Sequence, residues 1–478
     1  MKQTTKTLVG LLALLLVAGG IAGVALWAGK DERKKAEAKE KSEKLFDFDK
    51  AHAKELRVSK DGQPVARLVK GEKSWKLVQP VETEADETAV DSLLSSLTGL
   101  KQKKDLADEK DLKSFGLDQP KLEVAVKLDD GKEHGVQVGT DNSFDNTLYA
   151  KKLGDSTVRV IDAYQKASFE KTAFDLRDKK VAHLDDSAEL KRIEVAGGKS
   201  PYVLEKDGTT WKVNGAAADA GAADRVASAL KSLRATAVAA EKPSSLKEFG
   251  LDKPTATVKM AVTAGSDTYT RVVRLGQAKS GAVTQKTYAK RDDSPTVYEV
   301  DKQVLTDVEK QPFDLQNKEL VKVDREAVRK AVFETPAGKV EIARAKTTPP
   351  DGGFADEVFT VVAPQQGAAK KWKVSSALYS IASLRAAAFE GPVPAAKDLP
   401  RYGLDKPKTV TLLGDGDKVL ARVRVGSEKD GKRYALADGF EKLVRVEKST
   451  VDDWPWTAND ALDAPPPPPQ ASKQEPSR

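Results

Sequence analysis

Imidazole is scarce in this chain: of 478 residues only three are histidines, His52, His134 and His183. A zinc site or a nucleophile–base–acid triad would have to be assembled from these singletons, which fall in different strand or linker contexts. No G-x-S-x-G, H-E-x-x-H or P-loop pattern accompanies them. His134 is in phase with Val136 and Val138, the setting of a satisfied strand histidine rather than a ligand. Cysteine is absent, which excludes disulfides, thiolate metal sites and a lipid-modified N-terminal cysteine. The acidic pairs Asp129–Asp130, Asp185–Asp186, Asp292–Asp293 and Asp415/Asp417 stand at expected turns, where Asp is first a solvated turn residue. The stretch Asp141–Asn146 offers oxygen ligands suited to calcium, yet it lacks the glycine and distal glutamate of an EF-hand loop.

One acid does recur. Asp118, Asp252 and Asp405 belong to a phrase written three times: Phe115-Gly116-Leu117-Asp118-Gln119-Pro120, Phe249-Gly250-Leu251-Asp252-Lys253-Pro254 and Tyr402-Gly403-Leu404-Asp405-Lys406-Pro407. As members of a site these acids would do acid–base work, but no second acid or histidine recurs at a fixed offset from them. The simpler expectation is that they accept backbone N–H groups in the turn.

The elements around the phrase are more informative. Each copy ends a short polar–apolar run (Asp111–Ser114, Ser245–Glu248, Asp398–Arg401) that predicts one or two helical turns. Gly116, Gly250 and Gly403 would stop them in the left-handed conformation. The Schellman form of that stop requires apolar pairs, and they exist: Leu117 with Leu112, Leu251 with Leu246, Leu404 with Leu399. Pro120, Pro254 and Pro407 keep the preceding residue extended and launch a strand. Pro400 lacks an N–H and fits only a very short third helix.

Other landmarks keep step with the phrase: Trp75-Lys76, Trp211-Lys212 and Trp372-Lys373 upstream, and Tyr149-Ala150, Tyr288-Ala289 and Tyr434-Ala435 downstream. Repetition on this scale means tandem copies of a domain, not the units of roughly 20–50 residues that build solenoids. The fold class is therefore α+β: a single N-terminal transmembrane helix followed by three tandem, β-rich α+β domains. The divisions are 1–29 (anchor), 30–44 (charged helical stalk), 45–181, 182–321 and 322–462 (repeats), and 463–478 (disordered Pro-rich tail).

Within repeat one, Asp61-Gly62 turns a hairpin. A helix capped by Asp86 faces Val90, Leu93, Leu94, Leu97 and Leu100 inward. Leu122, Val124, Val126 and Leu128 alternate into the Asp129-Asp130-Gly131 turn. Repeat two places Asp219 where Asp86 stands and turns Val226, Leu230 and Leu233 inward. Repeat three buries Leu378, Ile381 and Leu384, with Ser375 or Ser376 as the cap and an irregular insertion over Thr347–Lys371. Its Trp454-Pro455-Trp456 takes the place of the closing Phe174-Asp175-Leu176 and Phe313-Asp314-Leu315, and reads as domain-closing core rather than an exposed platform.

The uncharged run Leu8–Ala28 is long enough to span a bilayer, with Trp27 at its edge. A cleavable signal peptide is the competitor, but the small-residue site Gly23-Val24-Ala25 lies inside the run, which favours an uncleaved anchor. Lys30, Arg33, Lys34, Lys35, Lys39, Lys41 and Lys44 follow the span. Counted alone they would hold the chain in the cytoplasm, yet long domains translocate largely regardless of charge and acids interleave these bases. The 80 basic and 73 acidic residues leave a net charge of +7, spread along the chain, which argues against a nucleic-acid ligand.

The Trp-Lys start, the Ala85-Asp86 and Ala218-Asp219 helix starts, the Phe/Tyr-Gly-Leu-Asp-x-Pro phrase, the Val138-Gly139, Leu275-Gly276 and Val425-Gly426 pairs and the later Tyr-Ala resemble a bacterial family catalogued as domain of unknown function 4340. The third copy departs by lacking Ala-Asp. The resemblance implies a single-span inner-membrane protein with its bulk extracytoplasmic. It also implies an accessory or scaffolding role beside ABC-type transporter subunits of the gliding-motility kind, with no catalytic, cofactor or metal residues. The alternative is an envelope protein that binds or hydrolyses glycans or peptides.

Overall fold

The computed structural model describes residues 43–463 apart from 108, 110, 143, 199, 279–285 and 348–355. The expected anchor, most of the stalk and the tail beyond Asp463 lie outside the described residues. No helix among the described residues is long and apolar enough to cross a membrane.

Repeat one begins with β1 (Ala53–Lys60) and β2 (Gln63–Lys70), joined by the two-residue turn Asp61-Gly62. Both turn residues have positive φ, 49° and 72°, the mirror-image turn whose twist suits a tight hairpin. There follow β3 (Trp75–Gln79), β4 (Thr83–Glu84), helix α1 (Glu87–Thr98) and β5 (Lys104–Leu106). The second half holds β6 (Leu122–Leu128), β7 (Glu133–Asn142), β8 (Thr147–Lys152) and β9 (Val158–Asp162). These strands make one antiparallel sheet in the order β4-β3-β2-β1-β6-β7-β8-β9-β5. Since β4 and β5 lie on opposite edges, α1 and its flanks must carry the chain across a face of the sheet.

That crossing decides where the core forms. Val90, Leu93, Leu94 and Leu97 point down from α1 and are buried, as is Leu100 after it. They meet the inward residues of the strands, among them Leu56, Leu68, Leu77, Val124, Val126, Val136 and Val138, in one apolar cluster. Asp86 caps the helix as expected, accepting the Ala89 N–H at 3.1 Å.

The other repeats write the same order of nine strands, from Glu189–Gly197 to Val297–Val300 and from Lys330–Thr335 to Lys442–Glu447. Their helices are α2 (Ala220–Lys231) and α3 (Lys371–Ala382). Three tandem β-rich repeats are thus present. Cα packing divides the chain differently, into two compact units. The first joins Met1–Leu184 to Ser232–Asp252 and Gln277–Asp301; the second joins Asp185–Lys231 to Lys253–Gly276 and Lys302–Arg478. The middle repeat therefore contributes to both.

Repeat three corrects four expectations. Trp372 is not the partner of Trp75 and Trp211: it is the second residue of α3 and is 69 % exposed. The strand position belongs to Phe359, 3 % exposed, whose carbonyl takes the Ala369 N–H as those of Trp75 and Trp211 take Ala85 and Ala218. Ser375 and Ser376 lie inside α3, whose first residue follows Lys370, and no side chain caps it. The supposed insertion contains the strands Asp356–Ala363 and Gly367–Ala368. Finally, Trp454 and Trp456 are buried, but the closing turn comes after them, at Ala458–Ala461. Its Thr457–Asp460 capping box repeats that of Thr172 and Asp175.

Candidate functional site

The residues flagged for chemistry are dispersed. His52 Nδ1 lies 2.7 Å from Asp129 Oδ2, and that hydrogen bond raises the imidazole pKa and lowers that of the carboxyl. His183 Nδ1 meets Asp178 Oδ2 at 2.8 Å. Burial alone would raise the Asp178 carboxyl, but hydrogen bonds from His183 and the Lys180 N–H hold it below its ordinary value. His134 stacks on Phe48, ring centroids 5.0 Å apart, with Phe46 edge-on. In the Asp141–Asn146 stretch Lys166 Nζ sits 3.0 Å from Asp141, and Asp145 takes the Thr147 hydroxyl. Among the described residues no three His, Asp or Glu side chains converge as a metal would need.

The recurring phrase is an architectural joint. Gly116, Gly250 and Gly403 have φ of 65°, 65° and 64°. Leu117 N–H donates to Leu112 O at 2.8 Å, Leu251 to Leu246 at 3.0 Å and Leu404 to Leu399 at 3.0 Å, the long bond of the Schellman motif. The turn before each glycine is tighter than an α-helix. It is 3-10 at Lys247–Phe249 and Ala396–Tyr402, which also accommodates Pro400. A Cβ on Gly116 would reach Thr140 Cγ2 at 2.8 Å, and one on Gly403 would reach Ser427 N at 2.7 Å, so no side chain fits between turn and strand. The phrase's aromatic residue stands edge-on against the tyrosine of the later Tyr-Ala pair: Phe115 on Tyr149, Phe249 on Tyr288, Tyr402 on Tyr434, at 4.6, 5.1 and 5.0 Å. This contact explains why the two motifs travel together. Asp118, Asp252 and Asp405 do not accept the turn N–H groups as expected; their side chains are exposed and hydrogen bond to nothing among the described residues.

What the sequence reading missed lies between repeats. Asp86, besides capping α1, is 3.0 Å from Arg234 Nη2 of repeat two. Asp219, capping α2 at 3.0 Å, is 2.7 Å from Arg385 Nη2 of repeat three. Partial burial pushes the Asp219 carboxyl up, but bonds from Arg385 and the Ala222 N–H outweigh it and hold the group below its usual value. Backbone clamps accompany each pair: Val181 N–H bonds Leu233 O at 3.0 Å, and Leu320 N–H bonds Leu384 O at 2.9 Å. Leu45 N–H, at the expected start of repeat one, bonds Leu100 O at 2.8 Å in the same way, and Lys44, expected to end the stalk, already bridges to Lys101. At the first junction the buried Arg177 guanidinium reaches Glu241 at 2.7 Å and the Tyr298 hydroxyl at 3.3 Å. At the second, Phe313 packs edge-on against Phe389 at 4.9 Å. The signal was legible: Ser232-Leu233-Arg234-Ala235 and Ser383-Leu384-Arg385-Ala386 repeat one four-residue string after each helix.

The described residues also form concave features, among them a cleft of about 420 Å³ beside the second junction, bordered by Glu319, Asp324 and Arg385. An open cleft of about 630 Å³ in repeat one is lined by Asp61, Gln119, Lys121, Glu123 and Gln137. Gln137 donates to Glu123 at 2.6 Å, while its buried Oε1 has no partner among the described residues. In repeat three a shallower cleft of about 320 Å³ borders Tyr379, Ser383 and Arg385.

The architecture is that of a clamped array of three β-rich repeats. Residues 75–237, 211–392 and 360–464 match the family described as Domain of unknown function (DUF4340), and the chain belongs to that family. The first two matches begin at Trp75 and Trp211, and the third one residue past Phe359, the same equivalence that the strand hydrogen bonds give. No curated protein and no solved structure matches the chain.

Proposed function

We propose that this is a single-span, non-catalytic docking protein of the bacterial inner membrane. Leu8–Ala28 anchors it and the repeats stand on the extracytoplasmic side, where they engage other envelope proteins such as ABC-type transporter subunits. The observation that carries the reading is the use to which the recurring charges are put. Asp86 with Arg234, and Asp219 with Arg385, fasten one repeat to the next, so these recurring charges serve to join repeats. Affinity capture of the intact protein from cross-linked membranes should recover transporter subunits; their absence from repeated captures overturns the reading. Because the chain has no cysteine, a single Ser472→Cys reports the side of the membrane. Labelling of whole cells by an impermeant maleimide is the expected result.

A second reading has its own support. The repeat-one cleft gathers amide, carboxylate and ammonium groups that are not repeated elsewhere: the strand pair Glu123 and Gln137 is Thr257 and Arg274 in repeat two, and Thr409 and Arg424 in repeat three. Such a set suits a glycan or an extended peptide. Saturation-transfer NMR with envelope oligosaccharides, lost in Gln137→Leu, would favour it.

A further inference from the structure

Helix α3 presents to solvent a face that its two counterparts lack. Trp372 and Tyr379, its second and ninth residues, are 69 % and 67 % exposed. The same positions hold Thr88 and Ser95 in α1, and Gly221 and Ser228 in α2. Seven residues are close to two helical turns, so both rings stand on one face, about 10.5 Å apart along the axis. The chain leaves the described residues beside this helix. Asp463 N–H bonds Ala368 O at 2.9 Å and Lys370 N–H bonds Ala461 O at 2.8 Å, at the end of α3 that carries Trp372. Two residues after Asp463 the sequence reads Pro465-Pro466-Pro467-Pro468-Pro469.

From these placements we infer that the proline run of the chain's own tail docks on the Trp372–Tyr379 face. Five consecutive prolines are restricted by their rings to polyproline II geometry, with three residues per turn and a rise of about 3.1 Å. Pro465 and Pro468 then fall on one edge of that helix about 9.3 Å apart, close to the spacing of the two aromatic rings. Proline rings against exposed aromatics are how polyproline segments are recognised, and the preset backbone lowers the ordering cost. Tethering adds an effective concentration on the order of millimolar, so a weak contact suffices.

The test uses the full chain in detergent, labelled with 5-fluorotryptophan, with Trp372→Phe assigning the Trp372 signal. A nitroxide on Ser472→Cys, the only thiol in the molecule, reads the tail. Docking predicts loss of the Trp372 fluorine signal while those of Trp75 and Trp211 persist. It further predicts return of the Trp372 signal when Pro465–Pro469 are replaced by glycine and serine. These changes lie beyond Asp463 and leave the repeats intact. A full Trp372 signal with the prolines present overturns the inference, as does equal loss with and without them. Loss that disappears on dilution would assign the face to a second copy instead, and overturns it too.

Discussion

Helices α1 and α2 on one side, and α3 on the other, are the same element inside and different elements outside. All three have twelve residues and bury an apolar face: Val90, Leu93, Leu94 and Leu97; Ala223, Val226, Ala227 and Leu230; Val374, Ala377, Leu378 and Ile381. The first two start from an aspartate that also holds an arginine of the following repeat. The third starts from Lys370, whose ammonium instead bonds Asn459 O of its own repeat at 2.8 Å. The inner face answers to the sheet, which is repeated. The outer face and the N-cap answer to the neighbour, which is not.

The strongest way to break the comparison is to exchange the two aromatics that sequence spacing confuses. Phe359→Ala empties a fully packed strand position and should cost about 3–5 kcal/mol. Trp372→Ala changes a surface residue and should stay within about 0.5 kcal/mol. Urea unfolding followed by the assigned 5-fluorotryptophan signals of Trp454 and Trp456 reads repeat three directly. A larger loss for Trp372→Ala would restore the spacing argument and undo the equivalence of Phe359 with Trp75.

The joint glycines come next. At Gly250 a side chain would carry the left-handed penalty of about 1–2 kcal/mol and would also drive its Cβ into the Gln277 carbonyl. At Gly265, φ 60°, nothing lies within 4 Å and only the conformational penalty applies. Gly250→Ala should therefore destabilise by about 1–3 kcal/mol more than Gly265→Ala, the usual cost of overpacking. Equal losses would mean that the joint tolerates a wider gap between turn and strand.

This contrast marks where the sequence was readable. The Schellman glycines, their leucine pairs, the Asp86 and Asp219 caps and the hairpin at Asp129–Gly131 rest on local rules, because each is satisfied within a few residues. Phe359 was hidden because a strand position asks for a large apolar ring, not for tryptophan; Trp372 at similar spacing then displaced the start of α3 by several residues. The roles of Arg234, Arg385 and Arg177 depend on partners more than sixty residues away; the repeated Ser-Leu-Arg-Ala string marks the first two as a pair without naming their partners, and nothing local marks Arg177. The exposed carboxylates of Asp118, Asp252 and Asp405 recur without a contact that explains them.

The junction pairs give a smaller and pH-dependent effect. Asp219→Ala removes a cap and an ion pair, about 1–2 kcal/mol together. The folded carboxyl sits below its unfolded value, so its contribution is present above the unfolded pKa of about 3.9 and disappears as pH falls through the folded one. The wild-type advantage over Asp219→Ala should hold at neutral pH and shrink in acid below that range. An advantage that is constant with pH would deny the aspartate its charged role at the junction.

The gentlest test runs in the other direction, by giving α3 what its counterparts possess. Lys370→Asp places a carboxylate where the first-turn N–H groups of α3 lack a side-chain acceptor, and it reverses the charge at the positive end of the helix. Against this stands the lost bond from Lys370 Nζ to Asn459 O, exposed and therefore weak. The balance should be a gain of about 0.5–1 kcal/mol in repeat three, read from the urea midpoint of the Trp454 and Trp456 fluorine signals. If the lysine is worth more than the cap it displaces, the variant loses stability. Lys370 would then be a fastening of the closing turn Ala458–Ala461 in its own right, and repeat three would be built differently from its counterparts on the inside as well.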